Sequence, residues 1–381
     1  MATSAPHSRP TQVLHVSNQI SPHTGGLETV VAAQTHGLRD RGWQVSVLSS
    51  ADTLQPGVRD EDGVRTVRMR GWNGLEERFG VPFNVFSPRA LLAMRGEVRR
   101  ADIVHIHDVI YLISWVAALW CRLERTPYVV HRHVGVVHHP IALVRLAQWL
   151  VLGSIARGVL AHAEAILPID ENIAAGLRAT VRHPSRVEVL GNGVDGTRFR
   201  PSSEEERVRT RREHGLPVDR PLALFVGRNV PKKGFAVVAR AAGDDYDIVF
   251  VGGPRPAGLD DPRLHFTGPL PPADMPAVYA CADVMIIASV GECPLTVLEA
   301  MSTGLPVLLN DDPALRSPWT AGPGVRFVDM AGGQLPEALR KLVADPEAMR
   351  EMGAEGHEYV RARFSWQAHL DQLESIYRSV V

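Results

Sequence analysis

Two doubly wound parallel α/β halves are the fold class this chain of 381 residues predicts. Three observations carry it. Short apolar, β-rich runs alternate with helical patterns along the sequence, the pattern of parallel strands joined by crossover helices. The alternation breaks once, at a polar stretch near residue 200, and then restarts. The length also exceeds what one hydrophobic core usually serves.

In the first half the strands are QVLHVSN, WQVSVLSS, DIVHIHD, PYVVHRH, EAILPID and RVEVLGN, and GGLETVVAAQTHGLRDRG is a helix between the first two. The run from Asn192 to Pro201, followed by the charged stretch 202–212, reads as the connection between the halves. From Pro221 a second series begins, LALFVG, DIVFVGG, DVMIIAS, LPVLLN and GVRFVD, each separated from the next by a helix or loop. Residues 1–10 are polar and read as a disordered tail. Residues 11–195 form the expected first domain, 196–364 the second, and 365–381 a closing helix.

The net charge of −1 leaves no basic surface for nucleic acid. Cys121, Cys281 and Cys293 form no CxxC pair and give an odd count, which argues for a reducing compartment. The polar N-terminus lacks the apolar core of an export signal, so the expected location is cytoplasmic. The most apolar stretches, Tyr111 to Cys121 and Ile141 to Ala161, are too short for a bilayer or are broken by Arg145 and Arg157. The second fits either a helix lying on a membrane, which would make the association peripheral, or a helix packed inside its domain.

The chain has only three lysines, and two of them, Lys232 and Lys233, follow Arg228 in FVGRNVPKKGF, between a strand and a helical run. At the carboxyl end of a parallel strand such a loop is a cation trap for phosphate, where the next helix adds free N–H groups and its positive dipole end. Alone, the loop also fits a solvated basic turn. The run from Ile286 to Val307 supplies a second signal: a strand, a short acidic loop, a helix and another strand. Pro294 suits a first helical turn, and Gly304 with Pro306 marks a helix end. Glu299 then lies about one turn into a helix facing the same crevice, where a carboxylate can accept hydrogen bonds from a ribose diol.

Gly25 and Gly26 open the first helix and let the backbone approach a phosphate or sugar without a Cβ in the way. Histidine is frequent between residues 105 and 139, at His105, His107, His131, His133, His138 and His139. Zinc is one reading of that cluster. The histidines alternate along strands, however, with no cysteine or HExxH spacing beside them, so no metal site is expected.

These motifs together resemble the retaining family 4 glycosyltransferases of GT-B architecture, from about Thr11 to the end of the chain. The resemblance rests on HTGGLE at 23–28, DIVHIHD at 102–108, TPYVVHRH at 126–133, GNGVD at 191–195, GRNVPKKG at 227–234 and ECPLTVLEAMSTGLPV from Glu292. It implies two Rossmann-like domains facing a cleft, with the C-terminal helix crossing back to the first. It implies transfer of a sugar from a nucleoside-diphosphate sugar, most often UDP-linked, to a hydroxyl of a secondary metabolite, glycan or lipid, with retention of configuration. The donor is a co-substrate, and neither cofactor nor metal is required. Arg228 and Lys233, beside Gly227, would stabilise the departing diphosphate, and His133 would face the donor sugar. Glu299 would hold the ribose, with Gly25 and Gly26 contributing from the first domain.

One departure concerns the family's Glu-x7-Glu motif. The eighth residue before Glu299 is Gly291, and the nearest acid is Glu292, which gives Glu-x6-Glu. The shortening falls in a loop, where it can be absorbed, and Glu292 is expected to take the sugar-contacting role. The alternative gives that role to the backbone amides of Leu295 and Thr296. The loop from Gly252 to Pro262 is also shorter than in relatives. Two other functions fit the resemblance, a sugar-nucleotide epimerase of the same fold and a donor-binding protein that has lost catalysis.

Overall fold

The computed structural model describes residues 11–23, 25–51, 55–74, 84–133, 152–291 and 294–381. The expectations for residues 1–10, Glu292, Cys293, His138, His139 and most of the 141–161 helix lie outside the described residues. The chain divides into two compact units, Met1–Gly191 with His369–Val381, and Asn192–Ala368.

In the first unit the strands are β1 (Gln12–Val16), β2 (Gln44–Ser50), β3 (Gly57–Glu61), β4 (Val64–Met69), the short ribbon β5 (Gly71–Trp72) with β6 (Val85–Phe86), β7 (Ile103–His107), β8 (Tyr128–Arg132) and β9 (Ala165–Pro168). Seven of them form one sheet in the order β3-β4-β2-β1-β7-β8-β9. All neighbours are parallel except β3, which pairs antiparallel with β4. Every residue of β7 and β8 is buried, as a strand covered on both faces requires. RVEVLGN, expected as a strand, makes only one bridge, between Val187 and Ile166. It follows the edge of β9 through the amides of Glu188 and Leu190, which donate to Ile166 and Pro168, but a 3-10 turn over Pro184–Arg186 precedes it and shortens the pairing. The β3–β4 hairpin has no apolar face on β3, whose residues are almost all exposed, and gave no period-two signal.

The second unit contains β10 (Leu222–Val226), β11 (Asp247–Val251), β12 (Leu264–Gly268), β13 (Val284–Ile287), β14 (Val307–Asn310) and β15 (Val325–Val328). They form one fully parallel sheet in the order β12-β11-β10-β13-β14-β15. In both sheets the winding reverses beside the first strand, between β1 and β7 and between β10 and β13. That reversal leaves a crevice at the carboxyl ends of the strands, where open α/β sheets bind ligands.

The last helix, Trp366–Val380, starts in the second unit, which ends at Ala368, and from His369 on it belongs to the first: Leu370, Leu373, Ile376 and Tyr377 are buried in one core with Val13, Val31 and Leu38. Gly37 leaves the space that Leu370 fills. Residues 192–195 go with the second unit, because the Val194 amide donates to the Phe364 carbonyl at 2.8 Å and Gly193 packs on the backbone of Trp366. Among the described residues no helix is long and apolar enough to cross a membrane. Tyr111 to Cys121 instead lies mostly within the helix Leu112–Glu124, whose inner face is buried.

Candidate active site

Each unit places a group of the sequence-predicted residues at the switch point of its own sheet. In the second unit β10 ends at Val226, and Gly227 turns the chain out with its amide on the Val251 carbonyl at 2.8 Å. A Cβ on Gly227 would lie 3.5 Å from Cγ of Lys233, so the Lys233 side chain runs past the end of the strand. Arg228, next in sequence, is exposed. Gly234 has φ +73°, and a Cβ there would collide with the Ala288 carbonyl oxygen at the end of β13. Only glycine serves at that point: the backbone is left-handed and the contact is with main chain.

The basic loop is joined to the acidic loop. The Lys232 carbonyl accepts from the Val290 amide at 3.1 Å. On the other side, Asp312 accepts from the Gly291 amide at 2.9 Å, and Asn310 donates to the Ser289 carbonyl at 3.3 Å. The short helix Thr296–Ser302 follows, with Leu295 as its N-cap residue. The amides of Leu295 and Thr296 precede the first intrahelical acceptors, where backbone N–H groups need an outside partner.

One turn in, Oε2 of Glu299 accepts from the hydroxyl of Tyr279 at 2.7 Å. Burial raises this carboxyl above its ordinary value, while the Tyr279 hydrogen bond and the charge of Arg198 hold it down. Tyr279 is fully buried, and burial with the adjacent carboxylate pushes its phenol well up, so the phenol remains a donor. Phe199 meets Tyr279 edge-on at 5.7 Å, and Ser302 donates to the Phe199 carbonyl at 2.6 Å. Asn229 ties the basic loop to the 252–262 loop by donating to the Pro254 carbonyl at 2.7 Å.

In the first unit the helix Gly26–Asp40 starts after the loop that follows β1, with Gly25 extended at its N-cap. The space a Cβ would take on Gly25 is held by the carboxylate of Glu28, which pairs with His23 at 3.0 Å. A phosphate would meet a negative charge there, so of the two ligand groups expected at this glycine pair a sugar fits better. Gln34 of the same helix reaches the histidines: its amide nitrogen lies 3.2 Å from Nδ1 of His131 and 2.9 Å from Nε2 of His369.

His15, His107 and His131 are fully buried towards the carboxyl ends of β1, β7 and β8, His105 is fully buried in the middle of β7, and His133 follows β8, half-buried. Nδ1 of His15 lies 3.0 Å from Nε2 of His107, whose Nδ1 lies 3.0 Å from Nε2 of His133. His105 bonds to the Tyr377 hydroxyl, and Nδ1 of His369 donates to the Gly191 carbonyl at 2.7 Å. Burial pushes all six imidazoles down, His15 to about 3 and His369 to about 4, so they are neutral at neutral pH. Beside them Asp108 holds a left-handed φ of 63° and pairs with the buried Arg132 at 3.1 Å.

His105, His107 and His131 bring ligand atoms within 4.8 Å of one another. The rings of His105 and His107, however, are stacked at 4.4 Å with 17° between their planes. A metal sits in the plane of each imidazole that binds it, and two nearly parallel, offset planes cannot share one ion. The neutral array instead fits hydrogen bonding.

Sequence reasoning missed His15, Gln34 and His369, and in the second unit Tyr279, Arg198 and Asp312. All are single residues outside motif strings; the alternation of His15 with the apolar positions of QVLHV was the one available hint.

Two family models match. The Glycosyl transferase 4-like domain covers residues 25–193, and Glycosyl transferases group 1 covers residues 206–359. A D-inositol 3-phosphate glycosyltransferase of Corynebacterium urealyticum is 29% identical, over 93% of this chain and 91% of its own. A GDP-mannose-dependent alpha-mannosyltransferase of Mycolicibacterium smegmatis is also 29% identical, over 97% and 98%. Among solved structures, sucrose-phosphate synthase of Thermosynechococcus elongatus aligns with a TM-score of 0.75 at 22% identity, over 97% of this chain and 98% of its own. WaaG, a glycosyltransferase involved in lipopolysaccharide biosynthesis, aligns with a TM-score of 0.72 at 16% identity, over 96% and 99%. With one glycosyltransferase model on each unit and two doubly wound parallel sheets, the chain belongs to the group 1 glycosyltransferases of GT-B fold.

Proposed function

We propose that this glycosyltransferase moves a sugar from a UDP-linked donor to a hydroxyl of a small-molecule, glycan or lipid acceptor, with retention of configuration and without a metal. One observation carries the reading: the Arg228–Lys233 loop is hydrogen-bonded to the loop ahead of Glu299 at the β10/β13 switch point. A diphosphate at the carboxyl end of β10 meets Arg228 and Lys233, and a ribose one helix turn away meets Glu299, whose second oxygen remains for a ligand while Tyr279 holds the first.

The bond between the anomeric carbon and the β-phosphate oxygen breaks as the acceptor hydroxyl forms its own bond to that carbon. Negative charge grows on the diphosphate, and two fixed cations stabilise it more in the transition state than in the ground state. The acceptor's proton passes to the departing phosphate oxygen, so no protein base is required on that face. Within the first unit, His133 and the Gly25–Gly26 turn are the candidate sugar contacts. The choice of UDP is supported by Anabaena HepE, solved in complex with UDP and matching with a TM-score of 0.74 at 15% identity. The mannosyltransferase relative is GDP-mannose-dependent and keeps guanosine donors in the test.

The test is a panel of UDP- and GDP-sugars, each incubated with the enzyme in chelator and followed for nucleoside-diphosphate release by slow hydrolysis. Release from a UDP-sugar supports the assignment. Release from GDP-sugars alone would replace the base, and epimerisation of the sugar without release would replace transfer with isomerisation.

A further inference from the structure

Three imidazoles form a hydrogen-bonded file in the first unit. Nδ1 of His15 faces Nε2 of His107, and Nδ1 of His107 faces Nε2 of His133, each at 3.0 Å. Each neutral ring carries one proton, and every N···N hydrogen bond needs one donor and one acceptor. The file therefore has two polarities only: all protons directed towards His133, or all directed towards His15. Burial keeps the rings neutral, and the adjacent Arg132 adds its charge against protonation of His133.

The two ends differ. Nε2 of His15 is sealed from solvent and has no hydrogen-bond partner among the described residues. Nδ1 of His133 belongs to a half-buried side chain and is not among the sealed atoms. Polarity towards His15 would bury an unpaired N–H at its Nε2, and orphaned buried N–H groups are rarer in proteins than under-satisfied acceptors. Polarity towards His133 leaves only a bare lone pair at that end and delivers an N–H where water or ligand can accept it. Ring orientation is fixed by stacking, since His105 lies against His15 at 4.8 Å and against His107 at 4.4 Å, with 17° between planes in both pairs.

We propose that His15 and His107 are positioning residues that hold His133 as its Nδ1–H tautomer, so that His133 offers the ligand a hydrogen-bond donor and not a base lone pair. The acceptor of that N–H is a neutral or anionic oxygen, such as a donor-sugar hydroxyl. The ligand's identity rests on the proposed transfer reaction, whereas the tautomer does not.

The experiment is long-range ¹H–¹⁵N NMR on the full chain with ¹⁵N-labelled histidine, without ligand, near neutral pH. The proton of His133 is expected on Nδ1. His107→Asn, whose amide N–H takes the place of Nδ1, should keep that tautomer, and His107→Leu should release His133 to a mixture or to Nε2–H. A wild-type proton on Nε2 overturns the proposal even if both variants fail to fold, and an unchanged tautomer in folded His107→Leu overturns it as well. In the activity arm, His107→Leu should lower kcat about tenfold, the scale of one lost hydrogen bond, with His107→Asn close to wild type. Absence of turnover with every nucleotide sugar would instead sink the transfer reading and leave the tautomer result standing.

Discussion

The amide of Val290 donates to the carbonyl of Lys232 at 3.1 Å, so the basic loop and the acidic loop of the second unit are one piece of main chain. Lys232 contributes to that join through its backbone, which every residue possesses. The Lys233 stem runs past Gly227 at the end of β10, where the diphosphate is proposed to sit. Lys233→Ala and Arg228→Ala should therefore each lower kcat on the order of a hundredfold, while Lys232→Ala has little effect. Steady-state release of nucleoside diphosphate measures all three, and an essential Lys232 with a dispensable Lys233 would reverse the loop's orientation.

Gly234 tests the same join from the backbone. Its left-handed φ and its contact with the Ala288 carbonyl leave no room for a methyl group. Gly234→Ala should destabilise the second unit by about 1–3 kcal/mol and impair turnover, since strain and collision act together. Urea melts check the first quantity; an unperturbed midpoint would mean that the loop yields without cost.

Tyr279 and Glu299 test separately the proposed hold of Glu299 on the ribose and the hold of Tyr279 on the carboxylate. Glu299→Ala should weaken both nucleoside diphosphate and intact donor, because the ribose is common to both. Tyr279→Phe keeps the ring against Phe199 and removes only the donor to Oε2, so it should weaken both ligands by roughly tenfold or less. Calorimetry on the folded variants decides, and a Tyr279→Phe protein with wild-type affinities would make that hydrogen bond purely structural.

The histidines make stability pH-dependent. Their folded-state values lie below the ordinary imidazole value of 6.5, so below pH 6.5 the unfolded chain takes up protons that the folded chain refuses. Stability is full above that pH and falls as pH drops below it, by up to about 1.4 kcal/mol per pH unit for each imidazole that stays neutral. Urea titrations at pH 7.5 and 5.5 should show the loss, and His15→Leu should lessen the slope. Equal midpoints at both pH values would mean that the array accommodates charge.

Much of this was legible beforehand because parallel strands buried on both faces read as apolar runs. LALFV, DIVFV and VMII announce β10, β11 and β13, and the loop after β10 carries Arg228 and Lys233 of the proposed site. Tyr279 was not legible: it sits among apolar residues in a short helix, and only the fold brings its hydroxyl to Glu299. Gln34 and His369 lie 335 residues apart and meet through helix packing that no local pattern encodes. The β12 strand, LHFTG, escaped notice because only its first residue is fully buried.

Calorimetric titration of UDP and GDP, with EDTA present, into the wild type, Lys233→Ala and Glu299→Ala tests whether Lys233 and Glu299, with Arg228, bind the diphosphate and ribose of a sugar nucleotide as proposed. One nucleotide should bind the wild type, and each variant should bind it at least about tenfold more weakly, the scale of one lost charge-assisted hydrogen bond. Equal affinities across the three proteins, or binding that appears only when a divalent metal replaces the chelator, would contradict the proposal.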